Sequence, residues 1–215
     1  MALKVNEIFY SIQGESTYAG CPCVFVRLTG CNLRCSYCDT QYAYEAGEDL
    51  AFSDIVNQIA SHQCSLVEVT GGEPLIQKET PALIHDLLEK GYKVLLETNG
   101  SQDIGQVDDR CITILDVKCP SSGEANKNDW DNLSKLTEGD EIKFVIGDRE
   151  DYDYAKKVLD HNNISTSGVN AVHLSPLHGK MAPKDLAKWI LEDHLNVRLH
   201  LQLHKVVWDP NQRGV

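Results

Sequence analysis

The chain has 215 residues, 42% of them hydrophobic and 24% charged, and it carries a formal net charge of -12. This composition predicts a globular protein with a sizeable core; the acidity argues against a nucleic-acid partner, and no apolar run approaches the roughly 20 residues that cross a membrane. Eight cysteines behind an N-terminus without an apolar secretory leader predict a reducing, cytoplasmic setting with metal-bound or free thiols.

Short strand-like runs alternate with helical segments along the chain, without an internal repeat or a linker. The predicted strands are residues 24–28, 66–69, 93–97, 112–117, 141–146, 171–174 and 197–203. Apolar residues four apart predict helices that begin near Ser53 and Thr80 and helices over residues 152–160 and 183–194. This alternation predicts parallel strands joined by crossovers, and we expect a single domain over residues 1–215.

The connections are too short for a complete barrel. Residues 98–111, rich in Gly and Asp, are all that separates the third predicted strand from the fourth, which leaves little room for a crossover helix. A complete eight-unit barrel takes about 250 residues. The sequence therefore predicts an α/β fold that forms a partial, TIM-like barrel with few helices.

Several predicted strands carry one charged side chain among apolar ones. These charged residues are Arg27, Glu68, Glu97, Asp116 and Lys143. One face of the last predicted strand holds Arg198, His200, Gln202 and His204. Solvent-facing edges would explain one or two such strands, but unpaired charge is costly to bury, so the recurrence favours a polar cavity on one face of the sheet.

Three cysteines follow the first predicted strand in the spacing Cys-x3-Cys-x2-Cys. Cys31, Cys35 and Cys38 can hold three irons of a 4Fe-4S cube and leave the fourth iron open to a small molecule. A structural zinc site is the alternative, but it needs four closed ligands, and no second cysteine or histidine pair follows at a suitable distance. The spacing favours the open iron–sulfur cluster.

A glycine-rich motif follows the next strand, where glycines let a ligand approach the backbone closely. This motif runs from Thr70 through Gly71, Gly72 and Glu73 to Pro74. Together with the cysteine triplet it resembles the radical S-adenosylmethionine (SAM) superfamily, in which the open iron chelates SAM. The resemblance implies the radical SAM type of partial barrel and a SAM site formed by Tyr37, Cys38, Asp39, Gly72, Glu73, Thr98, Asn99, Asp116, Lys118 and Ser122.

The two ends of the chain narrow the resemblance. Residues 7–16, Arg27, residues 38–40, residues 202–208 and residues 214–215 resemble the 7-carboxy-7-deazaguanine synthase family nearly from end to end. The resemblance implies conversion of 6-carboxy-5,6,7,8-tetrahydropterin to 7-carboxy-7-deazaguanine with loss of ammonia, on the route to queuosine and related 7-deazapurines. It also implies Mg²⁺ at Thr40 and substrate contacts from Ile12, Gln13, Gly14, Glu15, Arg27, Thr70, His204 and Val215.

The residue types suit that substrate. A carboxylate such as Glu15 can accept hydrogen bonds from the amidine-like edge of a pterin, and Arg27 can bind a substrate carboxylate with two parallel hydrogen bonds. The resemblance further implies a C-terminal segment that closes the substrate site, a homodimer, and an external electron donor such as flavodoxin or ferredoxin. No protein nucleophile or acid–base pair is needed for the radical steps.

Two other functions share the cysteine triplet. A glycyl-radical enzyme activase would act on a partner polypeptide, and an iron–sulfur electron carrier would not cleave SAM. The polar face of the last predicted strand and the segment from Gln13 to Glu15 favour a small polar substrate over a polypeptide, and cleavage of SAM would distinguish the enzyme from an electron carrier. The remaining cysteines have no cluster spacing and are expected to be free thiols: Cys21, Cys23, Cys64, Cys111 and Cys119.

Overall fold

The computed structural model describes residues 1–162, 168–210 and 212–215. The described residues form the strands β1 (Ala2–Ile12), β2 (Pro22–Leu28), β3 (Glu48–Ala51), β4 (Leu66–Gly71), β5 (Lys93–Thr98), β6 (Ile112–Val117), β7 (Glu141–Ile146), β8 (Ala171–Pro176) and β9 (Arg198–Leu199). They also form the helices α1 (Phe52–Ser61), α2 (Thr80–Glu89), α3 (Arg149–His161), α4 (Pro183–Glu192) and α5 (His204–Val207).

All of these strands belong to one sheet in the order β3-β1-β2-β4-β5-β6-β7-β8-β9. From β2 through β4 to β9 the strands are parallel, whereas β1 is antiparallel to both β2 and β3. The sheet is open, because β3 and β9 are not paired with each other. The carboxyl ends of the parallel strands therefore share one edge, where loops from distant parts of the sequence meet.

Helices cover part of one face of this sheet. The buried residues of α1, α2 and α4 are Ile55, Ile59, Thr80, Leu83, Ile84, Leu87, Leu186 and Ile190. Between β5 and β6 and between β6 and β7 the chain makes short 3-10 turns instead of crossover helices. The prediction of a partial, helix-poor α/β barrel is confirmed.

The other face of the sheet has two levels. The lower level is a small apolar cluster of Cys23, Phe25, Leu66, Leu95 and Ile114. Two residues further along their strands lie Arg27, Glu68, Glu97, Asp116 and, from β7, Lys143. Because side chains alternate between faces, this second level is a charged layer above an apolar floor, as the recurrence of one charge per strand predicts.

The strand predicted at residues 197–203 is correct only at Arg198 and Leu199 and wrong beyond them. β9 ends at Leu199, and the chain turns into α5 at His204. At the edge of the sheet β9 has one neighbour, so the outward side chains of Leu199 and Leu201 stay 40% and 43% exposed instead of packing. The alternation nevertheless marked the right inward residues, since His200 is buried and Gln202 reaches the cavity.

Two strands and the end of one helix also differ from the sequence prediction. β1 and β3 were not predicted, because β1 mixes polar and apolar residues and β3 is short and largely exposed. The helix predicted at residues 183–194 ends at Glu192, and His194 adopts a left-handed backbone conformation with φ of 50°. Among the described residues no helix combines the length and the hydropathy that a bilayer crossing demands.

Candidate active site

A cavity of about 260 Å³ lies at the carboxyl ends of the parallel strands. Three segments that are far apart in sequence surround it: the loop after β1, the cysteine loop after β2 and the end of the chain after α5. Most residues predicted to bind a ligand line this cavity. The exceptions are Glu73 and Ser122.

The cysteine loop places all three cysteines of the predicted cluster on the cavity. Cys31, Cys35 and Cys38 are half-buried, free thiols. The sulfur of Cys31 accepts hydrogen bonds from the backbone N–H of Leu33 at 3.4 Å and from the side-chain amide of Asn99 at 3.8 Å. Sulfur atoms with such donors fit a ligand role, because N–H groups stabilise the negative charge of a thiolate.

Within the described parts of the chain, no group of three or more His, Cys, Asp and Glu side chains converges on the position of one metal ion. Burial raises the pKa of the Cys31 and Cys35 thiols, so a bound metal charge is needed to keep them deprotonated.

The glycine motif after β4 packs directly against the cysteine loop. A side chain at Gly72 would overlap the carbonyl of Gly30 and lie 2.7 Å from Cβ of Cys31. The backbone N–H of Glu73 donates to the carbonyl of Gly30 at 2.8 Å. Glycine is therefore required where these two loops cross, and the close crossing brings the backbone of Gly72 to the cavity next to Cys31.

Glu73 and Ser122 lie behind the cavity wall and form hydrogen bonds with the residues of the wall and the cysteine loop. The carboxylate of Glu73 is fully buried and accepts hydrogen bonds from the backbone N–H of Asn99 at 2.7 Å and from the hydroxyl of Thr98 at 2.8 Å. The carbonyl of Ser122 accepts from the backbone N–H of Ser36 in the cysteine loop at 2.9 Å. Both residues thus position neighbours that line the cavity.

Beyond the cysteines, the wall carries an ion pair between Lys118 and Asp116. Nζ of Lys118 lies 2.9 Å from Oδ2 of Asp116. Burial disfavours the ammonium, yet the Asp116 carboxylate holds the pKa of Lys118 above its usual value. The second oxygen of Asp116, Oδ1, is buried without a hydrogen-bond partner in the described chain. An unpaired oxygen on a cavity wall is a position for a ligand donor.

Lys143 organises the charged layer. Its Nζ contacts Oε2 of Glu15 at 2.6 Å, forms a very short contact with Glu97, and lies 3.5 Å from Asp116. Burial disfavours the ammonium of Lys143, but the Glu15 and Glu97 carboxylates hold the pKa of Lys143 well above its usual value. Burial disfavours the charge of Glu15, but Lys143, His204 and Gln202 together outweigh it and hold the pKa of that carboxyl well below its usual range.

The loop after β1 carries the predicted substrate contacts. Ile12, Gln13, Gly14 and Glu15 line the cavity, and Thr70 lies on the wall nearby. The second oxygen of Glu15 accepts from the side-chain amide of Gln202 at 2.7 Å. Glu15 is therefore fixed as an ionised carboxylate by the cation of Lys143 on β7 and the amide of Gln202 near the end of the chain.

Arg27 is held by one of its nitrogens. Its Nε lies 2.8 Å from Oε1 of Glu7, and the hydroxyl of Tyr42 donates to the same oxygen at 2.9 Å. Within the described residues, no hydrogen bond engages the two terminal nitrogens of Arg27, which lines the cavity. This arrangement leaves a pair of donors for a carboxylate.

The end of the chain covers one side of the cavity. Gly14 is required there, because a side chain would overlap the imidazole of His204. Nζ of Lys205 lies 2.5 Å from Asp39, and the guanidinium of Arg213 stacks 3.8 Å from the ring centre of Tyr42. These contacts, together with the wall position of Val215, tie the C-terminal segment across the cavity.

Thr40, Tyr37 and Asp39 line the cavity as predicted. The hydroxyl of Thr40 donates to Oδ1 of Asp39 at 2.9 Å. His200 does not line the cavity: it is buried edge-on against His173, with 4.9 Å between ring centres, and burial lowers the pKa of His200 to about 4.

Several polar residues of the cavity were not predicted as site residues, among them Glu68, Glu97, Lys143, Gln202, Lys205 and Arg213. Three of them were visible as charges inside predicted strands, and Gln202 as part of the polar face of the last predicted strand. That signal could have identified Glu68, Glu97 and Lys143, whereas nothing in the local sequence of Lys205 and Arg213 places them against Asp39 and Tyr42.

Comparison with known proteins gives consistent results. Residues 25–117 match the model of the radical SAM superfamily. The chain is 43% identical to a 7-carboxy-7-deazaguanine synthase of Koribacter versatilis, covering 99% of this chain and 100% of the relative. It is 44% identical to the synthase of that name from Chlorobaculum tepidum, covering 99% and 97%. The crystal structure of QueE from Escherichia coli shares the fold, with a TM-score of 0.78, 23% identity and 95% of both chains covered.

Proposed function

This chain belongs to the 7-carboxy-7-deazaguanine synthase family of radical SAM enzymes, and from that premise we propose the reaction that its cavity carries out. The substrate is 6-carboxy-5,6,7,8-tetrahydropterin, and the product is 7-carboxy-7-deazaguanine, a precursor of queuosine and other 7-deazapurines, formed with loss of ammonia. One observation carries the proposal. A single cavity joins the three cysteines of the cluster loop to a polar layer in which Glu15 and Arg27 are both fixed.

Membership of the superfamily implies a 4Fe-4S cluster and SAM. Bound together, they would supply a carbon radical by reductive cleavage of SAM for abstraction of a hydrogen atom from the substrate. Cys31, Cys35 and Cys38 would hold the cluster. The backbone at Gly72, the side chain of Asn99 and the unpaired oxygen of Asp116 would hold SAM, since they lie on the same wall. Tyr37, Asp39, Thr98 and Lys118 complete that wall.

The substrate half of the cavity matches a carboxylated pterin. Ionised Glu15 accepts from the amidine-like edge of the pterin, and Gln13 offers an amide beside it. The unengaged nitrogens of Arg27 bind the substrate carboxylate, and His204 closes over the ring next to Gly14. The protein thereby holds reactants in contact and excludes water from the radical.

The proposal extends to magnesium. The hydroxyl of Thr40 lies on the cavity and would provide one protein ligand, with substrate carboxylate oxygens and waters completing the shell. Thr40→Val should raise the Mg²⁺ concentration required for turnover, while Thr40→Ser, which keeps a hydroxyl, should leave it near the wild-type value. Equal Mg²⁺ dependence in all three proteins would contradict this role.

The wider assembly is also proposed. The whole chain acts as one domain in the cytoplasm, its C-terminal segment closes the substrate site, and a flavodoxin or ferredoxin reduces the cluster. Val206 and Val207, which are 68% and 56% exposed, support a homodimer, because exposed apolar side chains favour burial against a second copy. Sedimentation of the cluster-loaded protein tests the dimer.

Anaerobic reconstitution followed by mass analysis of the products tests the function. The reduced protein should form 5′-deoxyadenosine from SAM and convert the carboxytetrahydropterin to 7-carboxy-7-deazaguanine, with no product when SAM is omitted. Cleavage of SAM without consumption of the pterin, and transfer of the radical to a polypeptide, would favour a glycyl-radical activase instead. Absence of SAM cleavage would favour an electron carrier.

A further inference from the structure

Glu68 is the member of the charged layer that lacks a cationic partner. Three carboxylates of this layer line the cavity together with Glu15 from the loop after β1; the three are Glu68, Glu97 and Asp116. The ammonium of Lys143 contacts Glu15, Glu97 and Asp116. Asp116 has a second cationic neighbour in Lys118. In the described part of the chain no Lys, Arg or His side chain forms an ion pair with Glu68, which is 3% exposed.

The surroundings of Glu68 disfavour a negative charge there. Glu97 on the neighbouring strand and Glu15 on the loop after β1 both repel it, while Lys143 is already bound to these two residues. Arg27 on β2 is nearby but bound to Glu7, and the thiol of Cys23, also on β2, is uncharged because burial raises its pKa far above neutral. Burial, followed by the charge of Glu97, raises the pKa of Glu68 to about 8.

The hydrogen bonding of Glu68 leaves one oxygen for a proton. The side-chain amide of Gln13 donates to Oε2 in a very short contact. No hydrogen bond from the described residues reaches Oε1. A protonated carboxyl accepts through one oxygen and donates through the other, so this arrangement suits a neutral acid whose O–H faces the cavity.

We propose that Glu68 is the general acid that protonates the amine nitrogen when ammonia leaves. The inference rests on the proposed function, since it assigns a side chain to the last step of that reaction. After ring contraction the substrate nitrogen remains attached as an amine, and an amine leaves readily only once it has gained a proton. Glu68 is a catalytic residue in this step because its O–H contacts the departing group.

The step balances with Glu68 alone. The O–H proton of Glu68 passes to the amine nitrogen, the C–N bond breaks, and its electron pair stays on nitrogen, so that NH3 departs. The adjacent ring carbon loses a proton, and the electrons of that C–H bond form the new C=C bond of the aromatic ring. The Glu68 carboxylate accepts this second proton and returns to its starting state, with no oxidant or reductant consumed.

Glu68→Gln tests the proposal in a single anaerobic turnover of the SAM-loaded holoenzyme. The amide keeps the size of the side chain but has no acidic proton, so ammonia release should slow by about 10²–10⁴-fold. Substrate consumption and deoxyadenosine formation should persist, and a ring-contracted amine that is isomeric with the substrate should accumulate. Ammonia release at the wild-type rate, or loss of substrate consumption in proportion to ammonia release, would overturn the assignment.

Infrared difference spectra provide a second readout that does not depend on turnover. In the protein without SAM or substrate, a protonated-carboxyl band should titrate with a midpoint of about 8 and be absent from Glu68→Gln. Glu97→Gln should move the midpoint to lower pH, because it removes the charge that repels Glu68 most strongly. The matched control is Glu141→Gln, which alters a buried carboxylate that is paired with His173 outside the cavity and should leave the band in place.

The two readouts separate the inference from the proposed function. If wild-type protein forms no 7-carboxy-7-deazaguanine, both fall, even where the infrared band is present. If wild-type protein forms product but Glu68→Gln retains the band or the ammonia release, the inference falls and the proposed function stands.

Discussion

The cysteine loop and the charged layer lie on the same cavity but are built in opposite ways. The loop is one short stretch, residues 30–40, whose cysteines reach the cavity together. The charged layer takes its residues from five elements, and its central contact joins Lys143 to Glu15, 128 residues away in sequence. Chemistry carried by the loop therefore depends on local spacing, whereas chemistry carried by the layer depends on the register of the whole sheet.

The two regions also differ in how much their side chains contribute to the stability of the fold. The three cysteines of the loop are only half-buried, so a change at one of their side chains should remove function and spare the fold. In the layer, removing one charge leaves its partners buried without compensation, so function and stability should fall together. The following variants, in order of decreasing effect, test this difference.

Cys35→Ala should have the largest effect on activity. Loss of one of three thiolates should prevent stable assembly of the cluster, so iron content falls and SAM cleavage drops to background. The unfolding free energy of the metal-free protein should change little. Cys64→Ala, a control outside the cavity, should keep iron content and turnover at wild-type levels. Full activity of Cys35→Ala would break the assignment of the loop.

Lys143→Met should reduce both stability and turnover. Glu15 and Glu97 would lose their shared cation while staying buried, which lowers the unfolding free energy by about 3–5 kcal/mol. Denaturant unfolding of the metal-free protein measures this loss. The matched control is Lys188→Met, whose exposed ion pair with Glu192 is worth less than about 1 kcal/mol. If both variants lost the same unfolding free energy, the buried ion pairs of Lys143 would contribute no more to stability than an exposed ion pair.

Gly14→Ala should affect substrate binding more than SAM cleavage. The added methyl overlaps the imidazole of His204, and relief of the overlap costs about 1–3 kcal/mol, equivalent to a rise of roughly 5- to 150-fold in KM for the pterin. Iron content and substrate-independent SAM cleavage should not change. Gly139→Ala is the control, since the nearest atoms to its new methyl are 3.9 Å away. An unchanged KM in Gly14→Ala would show that His204 does not contribute to substrate binding.

Arg213→Gln should have the smallest effect. Its stacking on Tyr42 is worth about 0.5–1 kcal/mol, so KM for the pterin should rise about two- to fivefold. A double-mutant cycle with Tyr42→Leu measures the coupling directly. If the two effects add fully, this contact does not hold the C-terminal segment over the cavity.

Much of the site was predictable because its signals are local. The spacing of Cys31, Cys35 and Cys38 and the glycines after β4 point to their ligands without knowledge of the fold, and the structure places these residues on one cavity. The charges at Glu68 and Lys143 were equally visible and indicated a polar face. Their sequence positions did not show which of them would be paired.

The edges of the sheet were harder to predict. β1, the second strand from one edge, was not predicted, although it carries the substrate loop at its end, because it mixes polar and apolar residues without strict alternation. The last predicted strand alternates strictly, yet its chain leaves the sheet after Leu199. Pairing partners, which the local pattern does not contain, decided both cases.

The sequence by itself therefore determined the parts of this protein that depend on covalent spacing: the cluster loop, the glycine motif, the order of strands and helices, and the short connections that limit the barrel. Tertiary structure alone decided which carboxylates share Lys143, which one is left without a cation, and which residues of the chain end cover the cavity. The physical reason is that the energy of a buried charge depends on every charge around it, and those neighbours come from distant segments whose register is set only when the whole sheet forms.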